Sequence, residues 1–131
     1  MNTPVHTVRR FYDALGCGDV ASVLSLLDVD VQWTEAERFP YYSGTWHGPK
    51  AVLERLLIPL SREWTNFSAT PHEFVAQGDR VVTLGSYSGT YRKNGKSLSA
   101  AFAHVWTVRV DKLVSFNMYT DTAKVLEALQ G

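Results

Sequence analysis

The chain has very little cysteine. Cys17 is the only one among 131 residues, so no disulfide can form within the chain. Disulfide frameworks are typical of small secreted proteins, whereas a lone thiol fits the reducing cytoplasm. The four histidines lack the spacing of metal ligands and have no group of cysteines near them, so we expect no metal site.

The chain also lacks an excess of charge and a long apolar run. Thirteen basic residues balance thirteen acidic ones, so no electrostatic footprint points to nucleic acid or to an anionic membrane. No run approaches the roughly 20 apolar residues of a membrane span, and residues 1–4 lack the regions of a signal peptide. We expect a cytoplasmic protein without nucleic-acid or membrane partners. A net charge near zero does little to discourage a homodimer.

The N-terminal part predicts helices followed by one strand. Thr3 is the expected N-cap of a first helix that ends at Gly16, and Asp19 the N-cap of a second. The first helix has one apolar face, made by residues at helical spacing: Val5, Val8, Phe11, Tyr12 and Leu15. A strand over 28–35 should follow. A third helix should open at Gly48-Pro49, and Pro59 should end or kink it.

The C-terminal part predicts an antiparallel meander. A strand over about 67–77 turns at Gly78-Asp79 into three strands between residues 81 and 120. Asn94-Gly95, between two apolar-rich runs, is a strong hairpin signal, and Asp111-Lys112 separates the next two runs. Asp121 should cap a short last helix. Helices followed by a meander predict one α+β domain over residues 1–131, whose sheet curls around its helices and leaves a pocket.

Three local strings resemble the SnoaL-like, ketosteroid isomerase-related branch of the nuclear transport factor 2-like superfamily. They are VRRFYDAL at 8–15 followed by Gly18-Asp19, YSGTWHG at 42–48, and FAHVW at 102–106 leading to YTDT at 119–122. The resemblance covers nearly the whole chain. It implies a cone-shaped, curved antiparallel sheet wrapped around the N-terminal helices (a cystatin-like α+β barrel), an apolar cavity, cofactor-free chemistry and a homodimer through the sheet. The superfamily holds isomerases, cyclases, hydrolases, dehydratases and binders, so the resemblance specifies the fold more than the activity.

The resemblance argues against steroid isomerase activity itself. Such an isomerase combines a carboxylate base with a tyrosine and a protonated aspartic acid that stabilise the enolate. Aligned with this chain, the base falls on Glu35, the tyrosine on Phe11, the aspartic acid on Ala103 and a supporting tyrosine near Leu56. The loss of one such donor typically costs about 10²–10³ in rate, and two are missing here. Tyr12 could replace the tyrosine only if the alignment shifted by one residue.

Glu35 is the first candidate for a catalytic role. Strand alternation places it on the same face as Val29, Val31 and Trp33. A carboxylate in an apolar cavity has a raised pKa, which suits a general base or acid near neutral pH. The alternative is a glutamate at the strand end in solvent, which should titrate near its ordinary value of about 4.3.

His104 is the second candidate, because a neutral imidazole can shuttle protons near pH 7. Alternation puts it on one face with Phe102 and Trp106, and puts Ala103 on the other. The alignment makes the Ala103 face line the cavity. His104 should then face outward as a structural or interface residue, unless a bulge turns it inward.

A small apolar ligand is the expected partner, held by aromatic and aliphatic side chains. We expect the following residues to bind it: Phe11, Tyr12, Trp33, Trp46, Leu56, Ala101, Ala103, Phe116 and Met118. Two functions remain open. One is an isomerase-, cyclase- or dehydratase-type enzyme acting on a lipophilic carbonyl metabolite without a cofactor, and the other is a non-catalytic binder or dimeric accessory protein with the same cavity.

Overall fold

A computed structural model describes residues 3–42 and 44–131. Met1, Asn2 and Ser43, which belong to segments discussed above, lie outside the described residues. The helices are α1 (Pro4–Gly16), α2 (Val20–Leu26), α3 (Pro49–Val52), α4 (Ile58–Glu63) and α5 (Thr122–Leu129), with a π-helical turn over Leu53–Leu57. The strands are β1 (Leu27–Thr34), β2 (Thr45–His47), β3 (Trp64–Gln77), β4 (Arg80–Tyr91), β5 (Ser97–Arg109) and β6 (Lys112–Thr120).

The described strands form one curved, unclosed sheet in the order β2-β1-β6-β5-β4-β3. β3 to β6 are the predicted antiparallel meander, while β1 joins β6 in parallel. Helix α1 packs across β3, β4, β5 and β6, so its apolar face and the inner face of the sheet share one core. The predicted α+β fold, a curved sheet around N-terminal helices, is confirmed.

The predicted helix caps are present. Thr3, Asp19 and Asp121 precede α1, α2 and α5, and each side chain accepts a hydrogen bond from the backbone N–H three residues further on, at 3.1 to 3.2 Å. These bonds satisfy N–H groups that have no partner inside the helix. Local chemistry therefore defines the helix starts that frame the sheet.

Pro59 neither ends nor sharply breaks the third helical segment. The backbone changes from α3 to the π-helical turn and then continues as α4 to Glu63. Proline has no N–H to donate and its ring crowds the carbonyl four residues earlier, here that of Arg55. The wider turn over Leu53–Leu57 lies where this conflict arises, and the segment remains helical through it.

Several predicted strand boundaries need correction. β3 begins at Trp64, three residues before the predicted start, and β1 begins at Leu27, one residue before the predicted start at 28. Val29 is 77% exposed and does not share the buried face of Trp33. The pairing of β1 with β6 shifts register between Leu27 and Gln32, and this irregularity interrupts the alternation from which Val29 was placed.

One of the two hairpin turns is displaced by a residue. Asn94-Gly95 lies in the turn between β4 and β5, and Gly95 has a φ of +73°. The next turn is Val110-Asp111, not Asp111-Lys112, because Arg109 pairs with Lys112 across the hairpin. Both turn residues have positive φ, 48° and 60°, as a two-residue hairpin of the I′ type requires.

Candidate active site

A cavity of about 350 Å³ lies between the inner face of the sheet and the helices. Its wall is mostly apolar and aromatic, with contributions from Phe11, Trp33, Leu56, Trp64, Phe67 and Phe116. Its polar side chains are Glu35, Ser61, Asn66, Tyr87, Arg92 and His104. An apolar enclosure with a few polar groups has the character of a small-molecule site.

Glu35 is in the wall of this cavity, directly after β1, and is only 5% exposed. Its Oε1 accepts a hydrogen bond from Trp33 Nε1 at 3.0 Å, while Oε2 makes no hydrogen bond to a described residue. Burial raises the pKa of Glu35 to about 7, although the bond from Trp33 favours the ionised form. The solvent-exposed alternative for Glu35 is therefore wrong.

His104 faces the cavity, contrary to the orientation inferred from the alignment. It is 3% exposed, and it shares the inner face of β5 with Phe102 and Trp106. Ala103 and Ala101 point to the other face. Alternation along the strand is regular through this stretch, so no bulge is needed. Burying three large rings is favoured over burying two alanines, so the outward orientation expected for His104 was wrong.

His104 lies between two tyrosine hydroxyls. Its Nδ1 is 2.5 Å from Tyr12 Oη, and its Nε2 is 2.6 Å from Tyr87 Oη. Tyr12 Oη also accepts a hydrogen bond from Trp106 Nε1 at 3.3 Å. Burial lowers the pKa of His104 well below its usual range, so the ring is neutral near pH 7. A neutral imidazole has one donor and one acceptor nitrogen.

Tyr87 was not predicted as a site residue. It projects from β4 into the cavity wall, is 6% exposed and pairs in register with Ala100. Burial raises the pKa of Tyr87 above its usual range, and the charge of Glu35 adds to this effect, so the two groups are close enough to interact. The inward alternation of Val81 and Thr83 on β4 was the available signal.

The predicted ligand-binding residues separate into three groups. Phe11, Trp33, Leu56 and Phe116 line the cavity. Tyr12, Trp46 and Met118 are buried in the core but lie outside its lining, and Tyr12 reaches the site only through His104. Ala101 and Ala103 lie on the opposite face of β5, so their placement in the cavity was wrong. Other lining residues, such as Leu60 and Phe67, come from the third helical segment and β3 and were not predicted to bind the ligand.

The cavity rim is more polar than its interior. Ser61, Asn66 and Arg92 are exposed. Arg92 donates to the carbonyl oxygens of Trp64 and Ser61, at 3.1 and 3.3 Å, and so holds the end of α4. Asn66 has a φ of 54°, and the β3–β4 pairing shifts register between Thr65 and Ser68. This bulge redirects the backbone of β3 at the rim.

Residues 3–42 and 44–131 contain no group of three or more His, Cys, Asp or Glu side chains placed to hold a metal ion. Within the same residues, no helix combines the length and the apolar character needed to traverse a bilayer.

Comparisons with known proteins agree with this architecture. An NTF2-like protein from Burkholderia thailandensis is 34% identical, with a TM-score of 0.95 and 100% of both chains covered. An NTF2-like protein of unknown function from Burkholderia pseudomallei is 30% identical, with a TM-score of 0.89 and the same coverage. TerC, co-crystallised with polyporic acid, is 26% identical with a TM-score of 0.87, covering 98% of this chain and 100% of its own.

A search of curated proteins finds no match. Residues 8–116 match the family model described as the SnoaL-like domain, which is most of the chain. The chain therefore belongs to the SnoaL-like family of NTF2-like proteins.

Proposed function

We propose that the chain is a cofactor-free acid–base enzyme that acts on a lipophilic metabolite carrying a carbonyl group, by isomerisation, aldol-type cyclisation or dehydration. The observation that carries this proposal is Glu35, a buried carboxyl group in the wall of an aromatic cavity, with its pKa raised to about 7. A carboxylate with a pKa near the working pH takes up and returns protons efficiently.

The common first step of these reactions is proton removal next to the carbonyl. Glu35 Oε2 takes the proton, the C–H electron pair forms a C=C bond, and the carbonyl π electrons move to oxygen. Steroid isomerisation itself remains disfavoured, because Phe11, at the position aligned with the oxyanion tyrosine, lines the cavity without a donor. A different polar group must therefore stabilise the developing oxyanion.

The ligand is proposed to be flat and largely apolar. Trp33 stacks on Phe116 with ring centroids 3.8 Å apart, and Phe11 packs against Trp33 at 6.0 Å. Aromatic walls of this kind favour ring-containing ligands. TerC was co-crystallised with polyporic acid, which makes that compound a reasonable first ligand to test in binding assays with this chain.

Deuterium exchange at the carbon next to the carbonyl tests the proposed chemistry. A panel of aryl ketones is incubated with the protein in D₂O and followed by NMR. We expect exchange catalysed by the wild type, with a rate that rises as the pH passes through about 7 and Glu35 ionises. Glu35→Gln should lower the rate by about 10²–10⁴, the usual contribution of a general base.

Glu37→Gln is the matched control, because Glu37 is exposed in the same loop and should leave the exchange rate unchanged. Ketones that bind to the wild type without any exchange would contradict the enzymatic proposal. They would favour the alternative, a non-catalytic binder. The observation on its side is that Phe11, at the position aligned with the oxyanion tyrosine, lines the cavity without a donor.

A further inference from the structure

The groups around His104 supply one more hydrogen-bond donor than the hydrogen bonds among them use. Trp106 Nε1–H, the two tyrosine hydroxyls and the single N–H of the neutral imidazole supply four donors. Three hydrogen bonds connect them: Trp106 to Tyr12, Tyr12 to His104 Nδ1, and His104 Nε2 to Tyr87. One hydroxyl proton is therefore left over, at Tyr12 or at Tyr87, and the imidazole tautomer decides which.

The surroundings of the two hydroxyls favour Tyr87 as the place of the free proton. If Nδ1 carried the imidazole proton, Tyr12 Oη would accept from both His104 and Trp106, and its own proton would need another acceptor. Thr83, which is buried beside Tyr12, would have to accept it and could then no longer donate its own hydroxyl proton to Tyr12. If Nε2 carries the imidazole proton, Tyr12 donates to Nδ1. Trp106, Tyr12 and His104 then each donate their proton within the protein. The free proton then belongs to a residue that lines the cavity.

We propose that His104 is a positioning residue, protonated at Nε2, which holds the Tyr87 hydroxyl so that its proton is donated to the carbonyl oxygen of a ligand in the cavity. Tyr87 is then the catalytic oxyanion donor that Phe11, at the position aligned with the oxyanion tyrosine, does not supply. The reactive role of Tyr87 rests on the proposed function. The recognition of a carbonyl group by Tyr87 is independent of the proposed function, because binding requires no turnover.

This assignment gives all the hydrogen bonds the same direction. Trp106 donates to Tyr12, Tyr12 to His104, His104 to Tyr87 and Tyr87 to the ligand, so each bond polarises the next one toward the cavity. Phe102 stacks on the imidazole, with ring centroids 3.8 Å apart and an interplanar angle of 11°, and this contact holds the ring in place. As the oxyanion forms, Tyr87 shares its proton without losing it, and Glu35 keeps the proton that it removed.

NMR of the protein with ¹⁵N-labelled histidine tests the tautomer directly. We expect Nε2 of His104 to be protonated and Nδ1 to be an acceptor in the wild type. Thr83→Val should leave the tautomer unchanged, because it removes only a hydroxyl beside Tyr12 and neither partner of the imidazole nitrogens. Tyr12→Phe removes the donor to Nδ1 and should shift the Nδ1 resonance. A wild-type ring protonated at Nδ1 would overturn the proposal.

A pair of ligands of nearly equal shape tests the role of Tyr87. 2-Acetylnaphthalene has a carbonyl oxygen where 2-isopropenylnaphthalene has a CH₂ group. We expect the wild type to prefer the ketone, and Tyr87→Phe to reduce that preference about tenfold, the value of one hydrogen bond. A wild type without this preference, or a preference that survives in Tyr87→Phe, would overturn the proposal.

Two substitutions of His104 separate positioning from proton transfer. A glutamine side chain carries a hydrogen-bond acceptor and a donor but cannot titrate, whereas a leucine side chain carries neither group. His104→Gln should keep both the ketone preference and its exchange rate within a few-fold, and His104→Leu should lose the preference. A proton-transfer role for His104 predicts instead that His104→Gln loses its exchange activity while it still binds the ketone.

A comparison of Glu35→Gln with the wild type distinguishes a failure of the proposed reaction from a failure of the Tyr87 assignment. This variant should keep the ketone preference, since Tyr87 and His104 are intact in it. If wild type shows that preference but catalyses no exchange, the proposed reaction is wrong and the assignment of Tyr87 stands. If exchange occurs and depends on Glu35, but not on Tyr87, the assignment of Tyr87 is wrong and the proposed function stands.

Discussion

Two opposing effects determine the protonation state of Glu35. Removal from water favours the neutral acid, whereas the hydrogen bond from Trp33 Nε1 favours the carboxylate. Burial is the larger effect, because the pKa is raised from 4.5 to about 7. His104 shows the corresponding effect for a base: burial favours its neutral form and lowers its pKa. Each of the two groups therefore destabilises the folded protein least in its neutral form.

The raised pKa of Glu35 predicts a pH-dependent loss of stability. The native state binds the proton of Glu35 more tightly than the unfolded chain does, so the stabilisation is complete below pH 4.5 and is lost as the pH rises through about 7. At about 1.4 kcal/mol per pKa unit, the loss is about 3 kcal/mol. His104 acts oppositely and lowers stability as the pH falls below 6.5.

Urea unfolding of wild type and Glu35→Gln measures this effect, since the difference between the two proteins removes the contribution of His104. The free energy of unfolding of Glu35→Gln relative to wild type should rise by about 3 kcal/mol from pH 4.5 to values above pH 7. Glu37→Gln should show no such change. A difference that is independent of pH would mean that Glu35 is exposed to water.

At the scale of elements, the close approach of β3, β4 and β5 depends on Gly85. A Cβ atom at this position would lie 2.2 Å from the carbonyl oxygen of Thr70 and 2.5 Å from Phe102 Cζ. The glycine lets the Phe102 ring cross the backbone of β4, and that ring stacks on His104. The sheet packing and the orientation of the imidazole therefore depend on the same strand position.

Gly85→Ala should destabilise the protein by about 3 kcal/mol, at the upper end of the usual cost of overpacking, because a backbone oxygen is one of the clashing atoms. Gly16→Ala is the control: its Cβ would meet nothing within 4 Å, and alanine should stabilise the end of α1 by about 0.5 kcal/mol or more. Urea or thermal unfolding compares the two variants. Equal stabilities of the two would contradict the close approach described here.

At the scale of the whole molecule, the outer face of the sheet carries two apolar rows. Leu84, Ala103 and Tyr119 are directly paired across β4, β5 and β6, and Leu84 and Tyr119 are 39% and 58% exposed. Val75, 52% exposed, pairs with Val82 in the next row. This face is opposite the cavity, so another chain can cover it without closing the site. We propose that it forms the homodimer interface.

Size-exclusion chromatography with light scattering tests the interface. We expect a dimer for the wild type and a monomer for Leu84→Lys, because a lysine in the apolar row would be desolvated without a partner. Val29→Lys is the control, since Val29 is 77% exposed on β1, away from these rows, and this variant should remain dimeric. A monomeric wild type, or a dimeric Leu84→Lys variant, would contradict the proposal.

Local chemistry made much of the fold predictable from the sequence. The caps Thr3, Asp19 and Asp121 act on N–H groups three residues away, and the turn at Asn94-Gly95 depends on its own backbone preferences. The antiparallel meander follows from these turns and from strand alternation. The predictions failed where distant packing intervened, as at Val29, where the β1–β6 register shifts.

The sequence by itself determined the helix starts, the meander and the presence of an acidic residue at the end of the first strand. Only the tertiary structure decided that Glu35 is buried, that β5 turns His104 inward, and that Tyr12 and Tyr87 meet the two nitrogens of its ring. Tyr12 and His104 are 92 residues apart. Their contact arises from the packing of α1 across the curved sheet, a long-range arrangement that no local pattern specifies.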